Sequence, residues 1–279
     1  MKFSTQFIPT ADQVGLLPML AYFFITITAY AFLASFIFAL ATRNSVAPEH
    51  RMSRALTACI VAVAGISYFL ITLFFHHYLE ELANVSDPND RHTLTRQAYN
   101  AIGQYRYMDW AITTPLLLIK MVSMLRVRYR EAPNVYITLL TADFFMILTG
   151  YIGEQQLTDG ANILVTSKLI WGAISTIGYV FIPLTLYQLW KRFSERVEPE
   201  ERKAYRTIAL TTVTFWGVYP IGYILTCFPS LDSNWIHIAF SIADIINKVG
   251  VGVITYQVAK ELMDKRVPES ATASAYDLT

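Results

Sequence analysis

Long apolar runs dominate this sequence and limit the folds open to it. Seven segments have roughly 20 or more mainly apolar residues, which is the length a helix needs to cross a bilayer. They lie near 14–42, 54–79, 101–126, 133–155, 162–191, 204–228 and 233–263. Charged residues make up only 15% of the chain, whereas a soluble domain carries about a quarter. The pattern predicts an all-α membrane protein built as a bundle of seven transmembrane helices.

Lysine and arginine are unequally shared between the two sets of connectors, and this predicts the orientation. One set is strongly basic, and the other holds only Lys2, Arg91, Arg96 and Lys168. Because basic connectors stay in the cytoplasm, we expect an extracellular N-terminus and a cytoplasmic C-terminus. We expect one transmembrane domain over 1–266 and a disordered polar tail over 267–279.

Two classes of function find no support in the composition. The net charge of +1 argues against a nucleic-acid partner. The two cysteines form no Cys/His spacing of the kind that binds metal, so no metal site is expected.

The third predicted span, which contains RYMDWAITTPLLLIK, carries ionisable residues that are costly in lipid. Each costs at least ~2.5–3.5 kcal/mol at membrane depth, which makes it a candidate functional residue. At 100° per residue, Asp109, Thr113 and Lys120 fall within about 40° of one another, and Arg106 within about 60° of Asp109. Lys120 would lie roughly 16 Å from Asp109 toward the cytoplasm. The stripe predicts a polar path inside the bundle, although Lys120 could instead snorkel to the headgroups.

The seventh span supplies a matching set of charges in ADIINKVGVG. Asp244 and Lys248 are four residues apart and therefore share one helix face. A lysine in mid-span needs a buried carboxylate or a covalent modification, and Asp109 and Asp244 could both serve it. Buried lysines also form Schiff bases. A structural Asp–Lys ion pair is the alternative, but it does not explain two acids and an arginine.

These residues resemble those of the microbial (type 1) rhodopsins, and the resemblance covers all seven predicted helices. It rests on the two motifs above and on APEHR, ADFFMILTGYIGE, LIWGAIST and FWGVYPIGY. The resemblance implies that all-trans retinal is bound covalently to Lys248. It implies that Asp109 is the proton acceptor and counterion, that Asp244 is the second counterion, and that Arg106 gates the extracellular side.

The resemblance also implies a chromophore pocket. Its further residues would be Trp110, Thr114, Leu117, Gly172, Ser175, Trp216, Tyr219, Pro220 and Tyr223. Aromatic walls suit a long apolar chromophore on physical grounds as well. Gly172 matches the glycine beside which xanthorhodopsin binds a carotenoid, so a carotenoid antenna is a further expectation. Easier helix packing is the alternative explanation for this glycine.

In rhodopsin pumps, three positions differ with the ion that is transported. In this sequence they hold Asp109, Thr113 and Lys120. An aspartate at the first position favours protons. The third position usually holds an acidic cytoplasmic donor, and lysine there is similar to a small group of bacterial proton pumps. Ser67 stands where proteorhodopsins have a histidine and resembles the sodium pumps instead. Glu154 either belongs to proton release or faces water.

The residues and the resemblance together predict a light-driven outward proton pump rather than an enzyme. We expect it to be a multi-pass protein of the plasma membrane, with lipid and protons as partners, and to form a homo-oligomer, either a trimer or a pentamer. A retinal photosensor with a slow photocycle and a light-driven pump for another ion remain open. So does a seven-helix transporter or scaffold that binds no retinal.

Overall fold

Helices make up most of the structure. The computed structural model describes residues 9–158, 162–228 and 230–276, with side chains described up to 266. The helices are α1 (Ala11–Val14), α2 (Leu16–Ala41), α3 (Arg51–Ala83), α4 (Pro88–Met124), α5 (Pro133–Glu154), α6 (Val165–Phe193), α7 (Pro199–Trp216), α8 (Val218–Leu225), α9 (Asn234–Asp244) and α10 (Val251–Tyr276). A π-helical segment, Ile245–Gly250, joins α9 to α10. The strand-like pairing within the described residues is one isolated bridge between Leu157 and Ile163.

Six helical segments of the described chain are long and apolar enough to cross a membrane. They are Leu16–Ala41, Pro48–Ala83, Pro133–Glu154, Val165–Arg196, Pro199–Leu225 and Asn234–Arg266. Each coincides with a predicted span, which confirms an all-α membrane bundle. The remaining long helix is α4, whose polar stripe includes Arg106, Asp109 and Lys120. The segment that the sequence marks as functional is therefore a long helix of the described chain that falls outside this apolar set.

The helix that contains the third predicted span, near 101–126, begins earlier than that span, at Pro88. Asp87 caps this helix, and its carboxylate accepts hydrogen bonds from the backbone N–H groups of Asn89 and Asp90 at 2.8 and 3.2 Å. Proline at the first helical position is also favourable. The apolar content of a sequence indicates which part of a helix lies in lipid, whereas capping residues determine where the helix itself begins.

Two of the predicted spans are not continuous α-helices; we call each spanning unit of one or more helices a rod. The sixth rod, which consists of α7 and α8, breaks at Gly217. Pro220 lies just beyond and has no N–H to donate to the carbonyl of Trp216, one turn back. The seventh rod consists of α9 and α10, and the π-helical segment that joins them contains Lys248. Both irregular turns carry residues that line the cavity described below.

The rods pack as a ring with its charged side chains inside. α2 packs against α3 and α9, α3 against α4, and α5 against α6. Large apolar side chains such as Phe23, Phe69 and Phe181 are exposed on the outside, where lipid would contact them. The buried charged residues within the rods include Arg54, Arg106, Asp109, Lys120, Asp143, Glu154, Lys168, Glu201, Asp244 and Lys248.

One end of the bundle, formed by the α2–α3, α4–α5 and α6–α7 connectors, is held together by ion pairs; we call it the basic end. Glu201 at the start of α7 is fully buried and lies 2.8 Å from both His50 Nε2 and Arg126 Nε. Glu49 lies 3.3 Å from Arg126 and also pairs with Arg266 of α10. These contacts join four elements at one end of the ring.

The last helix continues into the region where the sequence predicts a tail. α10 extends to Tyr276, and residues 277–279 lie outside the described residues. The domain boundary at 266 stays a prediction.

Candidate functional site

The centre of the bundle holds one lysine between two carboxylates. Lys248 Nζ donates to Asp109 Oδ2 at 2.5 Å and to Asp244 Oδ2 at 3.4 Å. None of these three residues is more than 5% exposed. A buried charge persists only when it is paired and hydrogen-bonded. The two acids therefore explain how a lysine can stand in mid-span.

The two carboxylates differ in their second oxygen atoms. The Tyr219 hydroxyl donates to Asp244 Oδ1. Asp109 Oδ1 is buried and has no hydrogen-bond partner in the protein. Asp244 is thus held on two sides, whereas Asp109 has an oxygen free to take a proton.

A cavity of about 240 Å³ leads away from Lys248 through the middle of the bundle. Rings form much of its wall: Trp110 and Tyr219 have centroids 4.8 Å apart, and Tyr219 and Phe240 5.2 Å apart. It is lined by all ten residues that the sequence assigns to cofactor binding, namely Trp110, Thr114, Leu117, Gly172, Ser175, Trp216, Tyr219, Pro220, Tyr223 and Lys248. A long, mainly apolar molecule joined to the amine of Lys248 would fit this shape.

Arg106 lies beside the carboxylates and is almost fully buried. Its guanidinium carbon sits 5.0 Å from the centroid of Phe240. The Nε and Nη2 atoms have no hydrogen-bond partner in the protein. Arg106 also lines the cavity, so its charge faces the same interior space as Asp244.

The hydroxyl groups of Thr113 and Ser67 each donate a hydrogen bond to a backbone carbonyl of α4. Thr113 Oγ1 donates to the carbonyl oxygen of Asp109 at 3.0 Å. Ser67 Oγ, from α3, donates to the carbonyl oxygen of Tyr105 at 3.1 Å. Ser67 thus links α3 to α4 one turn from Asp109.

Comparison with known proteins places the chain in a family. The family model described as "Bacteriorhodopsin-like protein" matches residues 18–262. The chain belongs to the bacteriorhodopsin-like family. It is 26% identical over 236 residues to green-light absorbing proteorhodopsin of Gamma-proteobacterium EBAC31A08, covering 82% of each chain.

Solved rhodopsins share the same fold. The crystal structure of Exiguobacterium sibiricum rhodopsin aligns with a TM-score of 0.70 and 26% identity, covering 88% of this chain and 98% of that one. Xanthorhodopsin, described as a light-driven ion pump with dual chromophore, aligns with a TM-score of 0.72 and 25% identity, covering 93% and 98%. The chain is therefore an integral membrane protein of the rhodopsin type.

Retinal is the chromophore of the bacteriorhodopsin-like family, and the residues of this chain fit it. An apolar, ring-lined cavity reaches a single buried amine. A cationic nitrogen at that amine would be neutralised by carboxylates already in place.

Lys120 is buried between helices and does not snorkel. Its side chain is 1% exposed. The amine donates to the carbonyl oxygen of Val251, on α10, at 3.5 Å. Arg54 is near enough to interact electrostatically with it. Lys120 thus lies inside the bundle. Its side chain faces the rod that contains Lys248, and it is nearer to the basic end than Asp109 is.

Glu154 does not face water, so that alternative is wrong. It is 9% exposed and accepts a hydrogen bond at 2.6 Å from Lys168 Nζ, which is fully buried. Lys168 Nζ also lies 4.6 Å from the Tyr223 ring centroid, and its carbonyl accepts from the Tyr223 hydroxyl at 2.6 Å. These three side chains form a second buried ionic cluster at one end of the cavity.

Gly172 has a clear packing role. A Cβ atom there would lie 2.7 Å from Tyr223 Cε1, and one at Gly153 would lie 1.9 Å from the Tyr223 hydroxyl. The two glycines together make room for this ring. The carotenoid antenna stays a prediction.

Two buried polar residues escaped the sequence-based assignment. Asp143 accepts a hydrogen bond from Thr114 Oγ1 at 2.8 Å, which ties α5 to α4 beside the cavity. His237 is buried on α9 among aromatic rings. The signal available for both was an ionisable residue inside an apolar run, the criterion that selects Asp109.

The Tyr223 packing gives a direct test. We expect Gly153→Ala to lower the melting temperature of the detergent-solubilised protein, because the added methyl group displaces Tyr223 from Lys168; overpacking of this kind costs about 1–3 kcal/mol. Gly103→Ala is the matched control, since a Cβ there meets nothing within 4 Å. Equal melting temperatures for the two variants would contradict this packing role.

Proposed function

We propose that this protein is a light-driven outward proton pump with all-trans retinal bound to Lys248 as a protonated Schiff base. The observation that carries the proposal is the 2.5 Å contact between Lys248 Nζ and Asp109 Oδ2 in a buried site. Retinal supplies light absorption and a change of shape that makes the proton on the Lys248 nitrogen available for transfer.

Asp109 is the acceptor of that proton. Its Oδ2 is already within hydrogen-bond reach of the Lys248 nitrogen, as proton transfer requires. Its Oδ1 has no protein partner. Asp244 is the second counterion, because the hydrogen bond from Tyr219 stabilises its anionic form.

Arg106 separates the carboxylates from one end of the bundle. It precedes Asp109 by one turn and has two nitrogens without protein partners. A guanidinium keeps its charge throughout. It can therefore stabilise the Asp109 carboxylate at rest and block the way back for a proton that has left.

Lys120 lies on the other side of Asp109 and is the candidate donor that resupplies the Lys248 nitrogen. Its burial and its contact with the Val251 carbonyl place it between α4 and the Lys248 helix. An amine there can pass one proton inward and take up another from the basic end. This step needs no carboxylate at that position.

The choice of protons over another ion rests on the oxygen atoms near Asp109. Thr113 and Ser67 donate their hydroxyl protons to backbone carbonyls. Asp109 and Asp244 are engaged by Lys248. The Lys248 nitrogen and the Asp109 carboxylate are within proton-transfer distance of each other, which favours protons as the transported ion.

The orientation follows from charge. The basic end would face the cytoplasm, the N-terminus would be extracellular, and α4 would complete a set of seven spans. We further propose a plasma-membrane location and a homo-oligomeric state, trimer or pentamer, in which apolar side chains exposed on the rods contact lipid or a second copy.

The test of the proposal is the external pH of illuminated cells that express the chain with retinal. We expect acidification that a protonophore abolishes, because the pump moves protons outward. Lys248→Ala is the control that should lose both colour and pH response. A coloured wild type with no pH change would contradict pumping and favour a sensor, and alkalinisation enhanced by the protonophore would indicate another ion.

The role of Lys120 gives a second prediction. In Lys120→Met, return of the proton to the Lys248 nitrogen, followed by flash absorbance, should slow by roughly tenfold or more, since a positioned proton donor contributes at least that much. Lys191→Met, at an exposed position, should leave the rate unchanged. An unchanged rate in Lys120→Met would remove Lys120 from the pathway.

A further inference from the structure

We propose that His237 is a proton-relay residue that carries the proton outward from the Arg106 region toward the extracellular surface. The inference rests on the proposed pumping function. The inference adds a proton-binding residue that lies outside the Lys248 cluster and its cavity.

His237 lies on the outward side of the Lys248 site. It precedes Asp244 by seven residues, so it shares a helix face with Asp244 and stands two turns, about 10 Å, nearer the extracellular end. Phe240 lies between them on α9, and the Arg106 guanidinium packs over that ring. The geometry puts Arg106 between the carboxylates and His237.

The imidazole is buried but not fully bonded. His237 is 2% exposed, and its Nδ1 has no hydrogen-bond partner in the protein. Leaving a buried polar atom unpaired is costly. Arg106 Nε and Nη2 are also buried without a protein partner, so Arg106 and His237 both have unpartnered polar atoms in this part of the interior, and of the two only the imidazole can gain and lose a proton.

The groups that face His237 are few. On α4 they are Arg106, which is close enough to act on it electrostatically, and Tyr99, whose ring centroid is 5.2 Å away. On α3 they are Phe75, at 5.7 Å, and beyond it Tyr78. α2 also packs against α9 but contains no acidic, basic or histidine residue. Among these described groups, none is a carboxylate that would hold an added proton on His237.

Glu154, a buried carboxylate among the described residues of this half of the bundle, is unsuited to the task. Glu154 is paired with Lys168 at 2.6 Å. A neutral imidazole, in contrast, has one nitrogen that accepts and one that donates. A proton received at one ring nitrogen lets the other nitrogen release its own, so charge and atoms balance. Repulsion between Arg106 and an imidazolium drives the proton onward.

The outward side of His237 offers an exit. Asn234 lies one turn earlier on α9, and the Tyr78 and Thr95 hydroxyls are 2.9 Å apart nearby on α3 and α4. Thr95 and Asn234 both line a cleft at this end of the bundle, together with Arg91 and Ser233. A proton that leaves His237 can reach that cleft through the Tyr78 and Thr95 hydroxyl groups.

The test is flash photolysis with a pH-indicator dye in the medium. In His237→Gln we expect the proton to appear outside roughly tenfold or more later than in wild type. Loss of the proton from the Lys248 nitrogen should keep its wild-type rate, because Asp109 is unchanged. His77→Gln is the matched control, a histidine of the same end whose side chain is 68% exposed. An unchanged release time in His237→Gln would overturn the relay.

A second measurement applies if His237→Gln does not fold. Difference infrared spectra of wild type with isotope-labelled histidine should show an imidazole change after the carboxylic-acid signal of Asp109 appears. Histidine bands that stay constant through the cycle would overturn the proposal. Failure of pumping itself is distinguishable, since wild type would then acidify nothing and no dye signal would arise.

Discussion

The ion triad of Lys248, Asp109 and Asp244 is the interaction on which the rest of the interior depends. A lone ammonium or carboxylate at membrane depth is costly, and ion pairing lowers that cost. With one cation between two anions, the site carries a net negative charge, which the neighbouring Arg106 balances. The three residues are buried, and in a medium of low polarity each of these contacts is stronger than it would be at a surface. For the same reason, moving one proton within the triad changes the local electrostatic energy strongly.

The asymmetry within the triad gives the site a direction. Asp244 receives a hydrogen bond from Tyr219, whereas Asp109 keeps an unpartnered oxygen. A proton leaving Lys248 is therefore expected on Asp109. Arg106 and His237 extend from there toward one end, and Lys120 lies toward the other. The proposed exit, acceptor and supply residues thus follow one another along the bundle, with Asp109 and the π-helical turn at Lys248 in the middle.

The sequence predicted much of the fold because lipid acts directly on composition. All seven predicted apolar runs correspond to helices of the described chain, and six of these helices are apolar enough to cross a membrane. The early start at Pro88 was missed, since it depends on the Asp87 cap rather than on hydropathy. The break at Gly217 and the π-helical turn at Lys248 were also missed. Both irregularities depend on packing around the cavity, and the length and position of an apolar run contain no information about such packing.

The centre of the site was more predictable than its edges. Asp244 and Lys248 share a helix face by spacing alone, and Asp109 could be paired with them because buried charges need partners. The Glu154–Lys168 pair joins the end of one helix to the start of the next, so the water-facing alternative for Glu154 was wrong. Asp143 and His237 act through neighbours on other helices, and spacing within one helix cannot reveal such contacts.

Time-resolved infrared spectroscopy of aspartate protonation tests the central claim most directly. The account predicts that a carboxylic-acid C=O band appears as the Lys248 nitrogen loses its proton, and that Asp109→Glu shifts this band. An exposed-site variant, Asp264→Glu, should leave it in place. A band that is unaffected by Asp109→Glu, or no carboxylic-acid band at all, would contradict the assignment of Asp109 as the acceptor.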